Sequence, residues 1–146
     1  MRIALSVCRI VFGLLFVVAS VDKIMHPAAF VDIVGNYRLL PDGIIVPFAL
    51  ILPWLELVAG VALIVGKAKE GAYVILLALT VGFLAALIST LIRGIDINCG
   101  CFSTSGTGAS LYWDIGRDLV ILIIGLAAGK DVFQQNPRLG RRLQAL

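Results

Sequence analysis

The sequence predicts an all-α membrane protein, a four-transmembrane-helix bundle, and three observations predict it. Of 146 residues, 60% are hydrophobic and only 14% charged, with a mean hydropathy of +1.04, whereas soluble domains carry about 25% charged residues. Four long apolar segments follow one another along the chain. The basic residues gather at the termini and one short turn. A spanning helix needs about 20 mostly apolar residues, so residues 1–146 fit a single four-helix transmembrane domain with short connections.

The first segment runs from about Ile3 to Ile24. Arg9 interrupts its apolar run and no small-residue cleavage pattern follows, so it reads as a retained helix rather than a signal peptide. A connection from Met25 to Gly43 leads to the second segment, Ile44 to Val65, with Pro47 suited to its first turn and Pro53 a point of kinking. The Gly66-Lys67-Ala68-Lys69-Glu70 turn precedes the third, Gly71 to Ile92. A stretch rich in Gly, Ser and Thr, Arg93 to Tyr112, precedes the fourth, Trp113 to Gly129, and a short basic tail follows. Lipid offers no hydrogen bonds to a backbone, which is why these segments are expected to be helices.

Arg2, Lys67, Lys69, Lys130, Arg138, Arg141 and Arg142 fall with the termini and the short turn, against Lys23, Arg38 and Arg93 on the other face. The positive-inside tendency then places both termini in the cytoplasm and the two longer connections outside. In a bacterial inner membrane, outside is an oxidising periplasm where disulfides persist. Because the net charge of +3 follows this topological pattern, a nucleic-acid role is not expected.

Cys99 and Cys101 flank one glycine in Ile97-Asn98-Cys99-Gly100-Cys101-Phe102, and a residue without a Cβ lets the chain curl enough to bring two sulfurs together. So small a ring strains a disulfide, and strained or exposed disulfides are the labile, more oxidising ones. Three readings stay open: thiol-disulfide exchange by a catalytic Cys99/Cys101 pair, a stapled loop, or a soft-metal site. The metal reading lacks nearby ligands, since His26 is the only histidine and lies in the other connection. Most of the roughly 30 Å of hydrocarbon separates Cys8 from the pair, and it is expected to be a small apolar filler.

Arg9, Asp22, Lys23, Glu56, Asp114, Arg117 and Asp118 lie in or near the apolar runs. Each costs several kcal/mol, about 3 or more, if it faces lipid, so each is expected to point inward and pair. Arg9 with Glu56 is the first expected pair. Asp22, Lys23, Asp114, Arg117 and Asp118 are expected to form a cluster under the cysteine segment, pairing Lys23 with Asp118 and Asp22 with Arg117. Arg93, Lys23 or Arg117 is then placed to lower a cysteine pKa; the alternative is that the charges only fix packing. Trp54 is expected in the core, with Trp113, Tyr112 and Tyr37 as interfacial anchors. His26 is expected at the interface, with proton transfer the alternative.

Arg9, Gly13, Lys23, Phe30, Tyr37, Leu40-Pro41, Leu52-Pro53-Trp54-Leu55-Glu56-Leu57 and Gly60 resemble DoxX-like membrane proteins. Asn98-Cys99-Gly100-Cys101-Phe102 and Arg117-Asp118 look more like the MauE branch. The resemblance covers nearly the whole chain. It implies a four-helix bundle tied to redox maturation with a thioredoxin-like periplasmic partner, as MauE-like proteins are linked with forming the disulfides of methylamine dehydrogenase. By the same resemblance Cys99 and Cys101 are the exchanging pair. DoxX relatives are tied to quinone-coupled sulfur chemistry, which makes a quinone the candidate cofactor, placed at Lys23, Arg117 and Asp118.

Overall fold

The computed structural model describes residues 2–94 and 111–134. These form five helices: α1 (Arg2–Met25), α2 (Pro27–Asn36), α3 (Asp42–Val65), α4 (Lys69–Ile92) and α5 (Leu111–Gln134). Among the described residues there is no strand. The helices α1, α3 and α4 contain Ile3–Met25, Asp42–Val65 and Lys69–Ile92, each long and apolar enough to cross a membrane.

At 24 residues, α5 is as long as these, but it carries more charge. Its carboxylates are turned inward, while Lys130 is exposed. Asp114, Asp118 and Asp131 are buried, whereas Trp113, Leu119, Val120, Ile123 and Leu126 are exposed. Turning the carboxylates inward and the apolar side chains outward removes the cost of facing lipid with charge, and α5 takes its place as the fourth long helix. It continues to Gln134, past the expected end at Gly129, because Asp131 points back into the bundle.

The long helices form a ring in which α1 packs on α3 and α5, and α4 packs on the same two. Neighbours run antiparallel, so the start of α1 and the end of α5 share one end of the bundle, here the termini end. At that end Phe12, Leu63, Tyr73, Leu76, Ala128 and Val132 make the main apolar core. Phe12 and Phe16 meet edge to face at 5.4 Å, as do Tyr73 and Phe133 at 5.7 Å. Gly66, at φ +81°, caps α3 with its N–H on the Ala62 carbonyl at 3.0 Å, a backbone conformation that glycine adopts without strain.

Where α1 crosses α3, a Cβ on Gly60 would lie 2.9 Å from the Gly13 carbonyl oxygen, and one on Gly13 would lie 3.0 Å from that of Gly60. Only a residue without a side chain lets the two backbones approach this closely. That contact fixes the axial register of α1 against α3.

Three expectations are corrected. The connection from Met25 to Gly43 contains α2, which starts with Pro27 at a first-turn position where a missing N–H costs nothing. Phe30 and Val34, four residues apart, turn one face of α2 onto Ala49 and Leu52 of α3; ten residues are too short for a span, so hydropathy passes over them. Trp54 is 57% exposed on the outside of α3. It follows buried Leu52 and Pro53 and precedes buried Glu56, and the helical period puts it on the opposite, lipid-facing side. The helix α3 also begins at Asp42, directly after Pro41, so Pro47 lies beyond its first turn.

Candidate functional site

The α2 end of the bundle holds a buried polar cluster. Lys23 is 2% exposed and Glu56 0%, and the Lys23 Nζ donates to both Glu56 oxygens, at 2.9 and 2.8 Å. The rings of Phe30 and Phe83 flank the ammonium at 5.1 and 4.9 Å, a cation–π arrangement from two sides. On α5, Arg117 bridges Asp114 at 3.2 Å and Asp118 at 3.5 Å. Lys23, Glu56, Thr80 and Asp118 line one cavity of about 30 Å³ with Leu15, Phe16, Ala19, Phe83 and Ile121.

The expected Arg9–Glu56 pair is therefore corrected. With Gly13 level with Gly60, Arg9 lies four residues toward the termini and Glu56 four residues toward α2, roughly 12 Å apart along the axis. Side chains of a helix lean toward its N-terminus. In antiparallel α1 and α3, Lys23 thus leans toward the termini end and Glu56 toward the α2 end, and the two converge. Arg9 meets Asp131 instead, Nη1 to Oδ2 at 3.6 Å, and the Ser6 hydroxyl donates to Asp131 Oδ1 at 3.2 Å.

Lys23 and Asp118 line the same cavity, but the expected pairing between them is replaced by one in which Glu56 holds the ammonium. Asp22 lies 3.5 Å from His26, an exposed ring one turn on that also hydrogen-bonds the Asp22 carbonyl at 3.2 Å. Tyr37 is buried rather than an interfacial anchor. Burial first, then the nearby charges of Asp118 and Asp114, push its phenol well above the ordinary range, so it stays neutral. Tyr112 and Trp113 are exposed at the start of α5, as interfacial anchors require. Arg93 caps the other rim, donating to the Tyr37 and Arg38 carbonyls. Cys8 is half-buried against the main core and is a free thiol.

Beside the cluster, α2, α3 and α4 enclose an apolar cleft of about 220 Å³ whose walls include Tyr37, Phe48, Leu52, Gly82 and Phe83. Phe83 belongs to both spaces and separates the cleft from Lys23. The polar cavity is much smaller than this cleft and has room for water. Of the cluster, sequence reasoning missed Thr80 and Phe83, which nothing in their local pattern marks; at the other end of the bundle it missed Asp131, which lies past the apolar run. Cys99 and Cys101 lie outside the described residues.

The fold and this interior define a helical membrane protein whose charges are turned inward onto one another, with no group of three or more metal-ligating side chains among the described residues. Sequence comparison makes the assignment specific: the family model for methylamine utilisation protein MauE matches residues 1–130, and the chain belongs to the MauE family. It is 38% identical over 121 residues to the methylamine utilization protein MauE of Paracoccus denitrificans, covering 82% of this chain and 64% of that protein. The MauE of Methylorubrum extorquens is 37% identical over 118 residues, covering 78% and 63%, and that of Methylophilus methylotrophus is 37% identical over 90 residues, covering 61% and 47%. The chain thus spans less than two-thirds of the length of these relatives. No solved structure matches it.

Proposed function

We propose that this protein is a thiol-disulfide exchange component of a bacterial inner membrane, working with a periplasmic thioredoxin-like protein in a methylamine utilisation system. The observation that carries the reading is the Cys99-Gly100-Cys101 pair in the segment between α4 and α5 of a MauE-family chain. The distribution of Lys and Arg supports placing that segment on the periplasmic side and both termini in the cytoplasm. In each exchange, a thiolate attacks a disulfide sulfur to give a mixed disulfide between the two proteins. The second thiol of the attacking pair then resolves it, so one dithiol is oxidised as the other disulfide is reduced.

A net oxidation of dithiols needs a carrier for two electrons and two protons. A lipid-soluble quinone fits that role, and the apolar cleft against Phe83, rather than the cavity at Lys23 and Asp118, has the room to admit part of one. Lys23 is committed to Glu56 and Arg117 to Asp114 and Asp118, which makes the exposed Arg93 the cation best placed to favour a thiolate.

The deciding experiment is the midpoint potential of Cys99/Cys101 in nanodiscs, by thiol trapping and mass spectrometry across a glutathione series with Cys8 as internal control. A reversible potential above about −250 mV, the range of exchange catalysts, is expected. A pair below about −300 mV, or one never bridged, would instead mean an assembly factor with a structural disulfide or a soft-metal protein. Binding of Cu(I), lost in the double serine variant, separates those two.

A further inference from the structure

The buried cluster carries an uneven count of charges. Glu56, Asp114 and Asp118 are each at least 96% buried, and the cations set against them are Lys23 from α1 and Arg117 from α5. At the exposed end of α1, Asp22 and the following His26 face each other. Tyr37, after α2, is a neutral phenol. Asp32, Arg38 and Asp42 are exposed; α3 contributes Glu56, α4 contributes Thr80, whose hydroxyl donates to the Leu76 carbonyl, and just after α4 the exposed Arg93 has its guanidinium held by the Tyr37 and Arg38 carbonyls.

Among the described residues, three carboxylates therefore share two cations inside a membrane bundle. An uncompensated buried charge is costly, and the cheapest remedy is a proton. Between Glu56 and Asp118 lies the cavity of about 30 Å³, room for one water to link the two carboxyl groups. Arg117 divides its guanidinium between Asp114 at 3.2 Å and Asp118 at 3.5 Å, whereas Glu56 has the Lys23 ammonium on both oxygens. Asp118 is thus the less fully compensated of the two carboxylates at the cavity.

We propose that Lys23, Glu56 and Asp118, with the cavity they enclose, form an internal proton-binding site that holds one exchangeable proton, carried mainly on Asp118. The bond made is an O–H on a carboxyl oxygen, and the proton comes from and returns to water at the α2 end past Arg117 and Asp114. The site does not depend on the cysteine reading. It supplies an interior acid to any reaction at that end that takes up or gives off a proton.

Infrared difference spectroscopy of the full chain in nanodiscs at neutral pH, in H2O and D2O, tests this by counting un-ionised carboxylic acids. The wild type should show one acid carbonyl band that shifts in D2O. Asp118→Asn and Glu56→Gln each leave two carboxylates for two cations, so each should abolish it. Lys23→Met leaves three for one and should double it. Asp131→Asn, at the other end of the bundle, should leave it unchanged. A wild type without the band, or a band that survives in both Asp118→Asn and Glu56→Gln, overturns the proposal. So does a band present in choline but lost in sodium, which would mean that a metal cation fills the site. If Lys23→Met fails to fold, the asparagine and glutamine variants still decide the question.

Discussion

The Lys23–Glu56 pair illustrates what a buried ion pair asks of single residues. Removing one partner leaves a buried charge behind, which costs about 3–5 kcal/mol, while replacing both by apolar groups of similar volume is often neutral. Lys23→Met, which strands the Glu56 carboxylate, is expected to lower the detergent unfolding midpoint sharply, and Lys23→Met/Glu56→Leu to recover most of the loss; equal losses in single and double variants would show that packing, not charge, dominates here. Tyr37 gives a pH dependence. Its folded phenol is held above its ordinary value of 10.0, so the native chain binds the proton more tightly than the unfolded one. The associated stability is fully present below about pH 10 and declines as pH rises beyond it. Tyr37→Phe should flatten that alkaline decline, measured as thermal unfolding against pH.

Among the elements, the α1–α3 crossing is set by Gly13 and Gly60, where an added Cβ would meet the opposing backbone carbonyl at about 3 Å. Backbone cannot rotate away as a side chain can, so Gly60→Ala should separate the helices at a cost of roughly 1–3 kcal/mol. Gly116→Ala, where nothing lies within 4 Å, should cost nothing or stabilise α5, because alanine is the better helix former. Comparing the two in one denaturation assay separates close packing from helix propensity. The crossing also explains the changed pairing of charges. Counting residues from each helix end places Arg9 near Glu56, but the glycine contact slides α3 along α1 until Glu56 faces Lys23 and Arg9 faces Asp131 of α5. The helix α2 escaped the hydropathy pattern because its apolar face, Phe30 and Val34, is too short to register as a span and is buried only by tertiary packing on α3.

For the molecule as a whole, orientation is tested in intact cells. After mild reduction, a membrane-impermeant maleimide should label Cys99 and Cys101 but spare Cys8; labelling of neither would reverse the topology that the basic residues suggest. Solvent set what could be read early. Composition and apolar length alone established an all-helical membrane protein, because lipid tolerates only backbones that satisfy their own hydrogen bonds. The need to hide charge from hydrocarbon likewise marked Arg9, Lys23, Glu56, Asp114, Arg117 and Asp118 as inward-facing before their partners were known, whereas Asp22 lies at the exposed end beside His26. Tertiary structure decided the partners themselves, the exposure of Trp54 and the burial of Tyr37, since these depend on how far one helix slides and turns against the next. Sequence carries the helical period along one chain segment, but the register between segments is fixed by contacts such as Gly13 with Gly60, which exist only once the helices are packed.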